Sequence, residues 1–191
     1  MDITPPTIEE LAVVLQNSGV ALLPTDTVWS AVVLLDSRRG FGKLEHCLAM
    51  VPGLPWPELL VRDTEQAKQY IAHLHPRLET LWNHHTRPLS ILFDNPVNLP
   101  PGLLQADGGV VLRLVTDVFL KRLIEKLGLP LIALPAFTAQ GEVALHFDEI
   151  SGALKEQMDY IAGNQGRGIA PGEISVMVRL TAIEELEFIR E

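Results

Sequence analysis

The chain has 191 residues, 47% of them hydrophobic and 20% charged, which fits one globular domain with a real core and excludes a disordered chain. Fifteen Lys and Arg stand against 24 Asp and Glu, for a net charge of −9. That balance argues against a broad nucleic-acid surface, which rests on basic side chains. No apolar run approaches the ~18–20 residues of a membrane span. The start Met1-Asp2-Ile3-Thr4-Pro5-Pro6 lacks the pattern of a secretory signal. Cys47 is the only cysteine, so no internal disulfide and no cysteine metal cluster is expected. The expected compartment is the cytoplasm.

Thr7-Ile8-Glu9-Glu10 has the form of a capping box, followed by an apolar helical face at Ile8, Leu11, Ala12 and Leu15 and a C-terminal cap at Gly19. Val20–Leu23 and Val28–Leu35 are predicted strands, and Ser37–Met50 a helix. Pro52, Pro55 and Pro57 make the next segment a loop. Leu59–Arg62 is a predicted strand, and Asp63-Thr64-Glu65-Gln66 a second capping box for a helix to about His73. Pro76 opens a helix to His84, and Pro88–Phe93 is a strand. A loop at 95–109 precedes the strand Val110–Val115, the helix Asp117–Leu127 and the strand Leu131–Leu134. Phe147–Gln157 is a predicted helix, and Tyr160–Ala162, Ile174–Leu180 and Leu186–Arg190 are closing strands. The alternation predicts an α/β (α+β) domain over 1–191, with one open, twisted mixed sheet flanked by helices.

Chemistry concentrates at Pro24-Thr25-Asp26-Thr27, where a strand runs into a loop. In extended backbone Thr25 and Thr27 point to one side and Asp26 to the other. The threonines then face a polar ligand while Asp26 braces the loop, or these groups satisfy the turn backbone themselves. Arg87, before a strand that carries Ser90, is either an anion partner or a surface residue. Arg113, inside Val110–Val115, needs a partner if buried, and lies at a polar cleft or on an open sheet face. Gly163-Asn164-Gln165-Gly166-Arg167-Gly168 offers an anion cradle or a flexible loop. His73, His75, His84 and His85 lack a metal-ligand pattern, and no metal site is expected. Trp56, among three prolines, is either a partner anchor or a side chain packing its loop.

The order of these pieces resembles the YrdC-like family, the threonylcarbamoyl-AMP synthases and their relatives, over roughly residues 7–190. Gly19-Val20-Ala21-Leu22-Leu23-Pro24-Thr25-Asp26-Thr27-Val28-Trp29 follows the family's G-x-V-x-x-x-P-T-D-T-V-Y-G. Thr86–Ser90, Val111–Val115, Glu173–Val178 and Phe188–Arg190 stand where the family has P-G-P-x-T, V-x-R-x-P, P-S-T-V-V-D and I-x-R. The resemblance implies an open α/β sheet with a concave face that holds ligand. Its counterparts here are Thr25, Asp26, Thr27, Trp29, Arg87, Ser90, Arg113, Ser175 and Arg190. It also implies L-threonine, bicarbonate and ATP with Mg2+ as ligands, threonylcarbamoyl-adenylate as product for tRNA modification, and double-stranded RNA as a partner of some members.

Two stretches depart from the pattern. The family's Lys-x-Arg-Pro is replaced by His46-Cys47-Leu48-Ala49-Met50-Val51-Pro52-Gly53, without a lysine or arginine. Its Ser-Ala-Asn and following Ser-Gly are replaced within Leu134-Pro135-Ala136-Phe137-Thr138-Ala139-Gln140-Gly141, and Ser30 stands at the glycine after the aromatic. Each lost charge-assisted hydrogen bond is worth about 1.5–3 kcal/mol. The sequence therefore points to a cleft for a small polar or nucleotide-like ligand without standard adenylate synthesis. An active synthase with rearranged cations, an RNA-binding module and a protein-interaction scaffold are the alternatives.

Overall fold

The Thr7 hydroxyl accepts from the Glu10 amide while the Glu10 carboxylate accepts from the Thr7 amide, each at 3.1 Å. That reciprocal box starts α1 (Ile8–Gln16), whose Leu11, Ala12 and Leu15 are buried. The computed structural model describes residues 7–162 and 170–191, so the glycine-rich segment Gly163–Gly168 lies outside the described residues, as does the chain start. β1 (Ala21–Pro24) and β2 (Trp29–Leu34) follow, then α2 (Arg38–Met50), capped by the Ser37 hydroxyl. Next come β3 (Glu58–Val61), α3 (Thr64–Ala67), α4 (Pro76–His84) and β4 (Leu89–Phe93). β5 (Val110–Leu114), α5 (Val118–Leu127) and β6 (Leu131–Pro135) form the next unit. α6 (Gly152–Glu156), β7 (Tyr160–Ile161), β8 (Val176–Leu180) and β9 (Leu186–Arg190) close the described chain.

The nine strands of the described residues share one mixed sheet in the order β7-β1-β2-β6-β3-β5-β4-β8-β9. β1–β7, β3–β5 and β4–β8 are parallel, and the other neighbours antiparallel. The predicted fold class is the observed one. In β4, β5 and β8 strand parity divides the core. Val110, Leu112, Ile91, Phe93, Val176 and Val178 enter the large core, which also holds residues of α1 to α5. The alternate residues Val111, Leu92 and Met177 form a separate small cluster. Ser90 and Arg113 share the parity of that second cluster, so the register puts them on its face of the sheet.

Three local expectations are corrected. Gly19 is not the left-handed cap of α1; Ser18 takes that conformation, at φ 60°. Gly19 is instead required by close approach, because a Cβ there would lie 2.7 Å from the Val14 carbonyl oxygen. The helix expected to reach His73 stops at Ala67, because the backbone turns to pair elsewhere: the Ala72 amide donates to Asn95 and the Tyr70 carbonyl accepts from Val97. The predicted helix Phe147–Gln157 is broken at Ile150 and Ser151. Ile150 is extended and buried, and the Ser151 amide donates to the Phe137 carbonyl at 2.8 Å, which leaves a 3-10 turn before α6.

Candidate ligand-binding site

The β1–β2 connection is held by its own hydroxyls. Thr25 Oγ1 donates to the Val28 carbonyl at 2.7 Å and accepts from the Thr27 amide at 3.2 Å. Thr25 and Thr27 Oγ1 lie 2.9 Å apart, on one side of the backbone. Asp26 sits in the bend between β1 and β2 rather than in extended backbone, and its carboxylate turns toward β5 and the residues after it. There it accepts from Arg113 through one oxygen and, through the other, from the Thr116 amide at 2.7 Å and hydroxyl at 2.9 Å. Asp26 therefore braces the loop, and Thr25 satisfies the turn.

Arg113 is 2% exposed. Its Nε donates to Glu58 Oε2 at 2.8 Å, so the guanidinium lies between two carboxylates. Glu58 is the first residue of β3, and its other oxygen accepts from Arg190 Nη2 of β9 at 3.1 Å. Arg190 also donates to Ser175 Oγ at 2.7 Å and to the Ser175 carbonyl at 2.8 Å. Ser175 Oγ sits 2.6 Å from Ser90 Oγ. The strand register explains the convergence: Leu60 of β3 pairs with Arg113, Arg113 with Ser90, Ser90 with Met177, and Met177 with Arg190. Glu58 and Ser175 lie two positions from Leu60 and Met177, hence on the same face. A chain of groups thus runs Thr116–Asp26–Arg113–Glu58–Arg190–Ser175–Ser90, with two carboxylates and two guanidiniums; Asp26, Arg113, Glu58, Ser175 and Ser90 are buried, Arg190 is partly buried and Thr116 is exposed.

Burial by itself raises the Asp26 carboxyl. The Arg113 charge, the two hydrogen bonds from Thr116 and that from Arg113 outweigh it, and the group titrates below its ordinary 3.8. Burial pulls the Arg113 guanidinium down, but Asp26 and Glu58 hold it above its ordinary range, so it stays charged. Buried pairs of this kind are held together chiefly by what it costs to leave one member alone, about 3–5 kcal/mol. Between the threonine loop and this chain of groups lies a cavity of about 10 Å³, bordered by Thr27, Ser30, Glu58, Arg113, Pro135 and Ser175. That is room for about one water.

Thr25, Asp26, Thr27, Ser90, Arg113, Ser175 and Arg190 are therefore brought into one neighbourhood. Trp29 is buried, with its ring 4.8 Å from that of Phe147, and serves packing. Arg87 is not brought in: it lies at the surface, 3.8 Å from Glu173. Sequence reasoning missed Glu58 and Thr116. The available signal for Glu58 was an acid between Pro57 and the apolar Leu59-Leu60-Val61, one residue outside the predicted strand.

A family model described as "Telomere recombination" (Sua5/YciO/YrdC) matches residues 13–191. The chain belongs to the Sua5/YciO/YrdC family. Among solved structures, it is similar to E. coli YciO, with 19% identity and a TM-score of 0.76 over 98% of this chain and 92% of that one. P. abyssi Sua5 complexed with L-threonine is 16% identical, with a TM-score of 0.69 over 91% of this chain and 50% of that one. T. kodakarensis HypF is 13% identical, with a TM-score of 0.78 over 100% of this chain and 24% of that one. The chain thus spans about half of Sua5 and about a quarter of HypF. These likenesses concern the fold. The comparison with curated proteins gives no match.

Both stretches that depart from the family pattern lie close together. A Cβ on Gly141 would fall 2.6 Å from Val51 Cγ1, so the end of α2 rests against the 138–142 turn. Cys47 and Phe137 are buried within the core. The Trp56 indole donates to the Leu103 carbonyl at 2.9 Å, which packs the proline loop against its neighbour rather than presenting an anchor. Cations near these stretches are engaged elsewhere. Lys43 binds Asp159 at 2.8 Å, Arg39 lies 3.9 Å from the same carboxylate, and Asp159 accepts from the Val20 amide at 2.8 Å. Among the described residues no helix is long and apolar enough to cross a membrane, and no group of three or more His, Cys, Asp or Glu is placed to hold a metal ion.

Proposed function

We propose that this chain is a YrdC-fold binding protein whose cleft takes a small polar ligand and does not carry out standard threonylcarbamoyl-AMP synthesis. One observation carries the reading: both arginines of the cleft, Arg113 and Arg190, are already paired with carboxylates of the chain itself. A guanidinium binds phosphate or carboxylate through donors that are free to turn to it. Here Asp26, Glu58 and Ser175 take those donors. The replacement of the Lys-x-Arg-Pro stretch by His46–Gly53, without a lysine or arginine, removes further cations. These residues do not fit ATP with Mg2+.

Isothermal titration with L-threonine, and with ATP plus Mg2+, tests the reading together with a pyrophosphate-release assay. The expected result is no release above background from threonine, bicarbonate and ATP at high protein concentration. Tight binding of both ligands, or threonine-dependent release, overturns it. The second reading, an active synthase, draws support from the intact Pro24-Thr25-Asp26-Thr27 wall and from the fold likeness to a Sua5 complexed with L-threonine. The same assay decides between the two.

A further inference from the structure

We propose that Glu58 is a resident occupant of an oxyanion seat, and that it sets the charge class of ligand the cleft accepts. The inference deepens the proposed function and rests on it. The Glu58 carboxylate is held as a bound oxyanion would be. One oxygen accepts from Arg113 Nε at 2.8 Å. The other accepts from Arg190 Nη2 at 3.1 Å and lies 3.4 Å from Ser175 Oγ. Its donors thus come from β5, from β9 and from the residue before β8, while the carboxylate itself comes from β3. Ser90 fixes the Ser175 hydroxyl from the fourth strand.

Two further observations bear on occupancy. Asp26 already answers the far side of Arg113, so Glu58 is the second carboxylate on one guanidinium and the only one within ion-pair distance of Arg190 among the described residues. Without Glu58, Arg190 would have no carboxylate partner, and Arg113 would keep only Asp26. The Glu58 side chain also borders the 10 Å³ cavity, so deleting it joins its own volume to space beside Thr27 and Ser30. The emptied seat would present two guanidiniums and a hydroxyl to a carboxylate or phosphate-sized anion. With Glu58 in place, an incoming anion meets a buried negative charge and no free cation, and the cleft discriminates in favour of neutral or cationic polar groups.

The test uses inorganic phosphate and the full chain at constant ionic strength, with chloride as the control salt. Titration calorimetry and phosphate-dependent melting are measured for wild type, Glu58→Ala and Glu58→Gln. Wild type is expected to show no phosphate-specific binding. Glu58→Ala is expected to gain phosphate affinity by about 10- to 100-fold over the wild-type limit, the equivalent of one charge-assisted hydrogen bond. Glu58→Gln, which keeps the shape and removes the charge, is expected to gain less. Adding Arg190→Leu to Glu58→Ala should abolish the gain. Folded Glu58 variants that gain no phosphate affinity overturn the proposal. Should neither variant fold, wild type still decides: phosphate binding that Arg190→Leu removes shows the seat to be open and overturns it, whereas a flat titration supports it. These outcomes are separable from those for the proposed function, which is overturned by binding of both threonine and ATP to wild type whatever the variants do.

Discussion

At the scale of single residues, Asp26 joins local order to the ion chain. One of its oxygens holds the start of α5's approach through Thr116, and the other holds Arg113. Because its folded pKa lies below the ordinary 3.8, the unfolded chain binds the proton more readily. Its contribution to stability is therefore complete above that ordinary value and is lost as pH falls through the lower folded value. Asp26→Asn should lower stability at pH 7 by about 3–5 kcal/mol, as a broken buried pair does. It should also flatten the loss of stability below pH ~4. Urea unfolding between pH 2.5 and 7 measures both; an unchanged acid limb in the variant would contradict the assignment. The bracing role of Asp26 was legible in the sequence as an acid between two turn hydroxyls, although the backbone there bends and is not the extended segment expected. Its partner Arg113 was singled out as a charge in need of a counter-ion. Glu58 was harder to read: its one local mark, an acid directly before the apolar Leu59-Leu60-Val61, does not say what it pairs with, and its role arises from the parallel register of β3 on β5.

At the scale of elements, the strands were more legible than the helices that depend on tertiary contacts. β5, β8 and β9 follow from apolar patterning close to the observed limits. α3 and the region before α6 did not, because capping residues announce where a helix starts and not which carbonyl will be taken by a distant amide. Asp63 does cap α3, accepting from the Gln66 amide at 2.8 Å, yet the helix ends after four residues. Gly19 teaches a similar lesson. Its place after a helix suggested conformational freedom, whereas the observed demand is for space beside Val14. Gly19→Ala should thus destabilise the chain by about 1–3 kcal/mol through overpacking at the α1–β1 junction. Chemical denaturation would show it. A neutral effect would mean that α1 shifts freely on β1 and β2.

At the scale of the whole molecule, the charge balance has a structural counterpart. Among the described residues, eight Lys and Arg side chains lie within 4 Å of the chain's own carboxylates. Duplex RNA is therefore expected to give no shift in a gel at physiological salt, and a steeply salt-dependent shift would reverse that expectation. The ion chain also has a bearing on the order in which the molecule comes together. Its links close loops of very different length: 55 residues separate Arg113 from Glu58, 87 separate it from Asp26, and 132 separate Arg190 from Glu58. Longer loops cost more entropy to close, and contacts far apart in sequence slow folding. Arg190 also reaches Glu58 only when β9 has docked at the outer edge of the sheet beyond β8. A chain folded through β6 but still lacking the β8–β9 hairpin would hold Glu58 with one cation instead of two. The final hairpin is then a latch in time as well as in space: its arrival completes the sheet and, in the same event, neutralises the cleft.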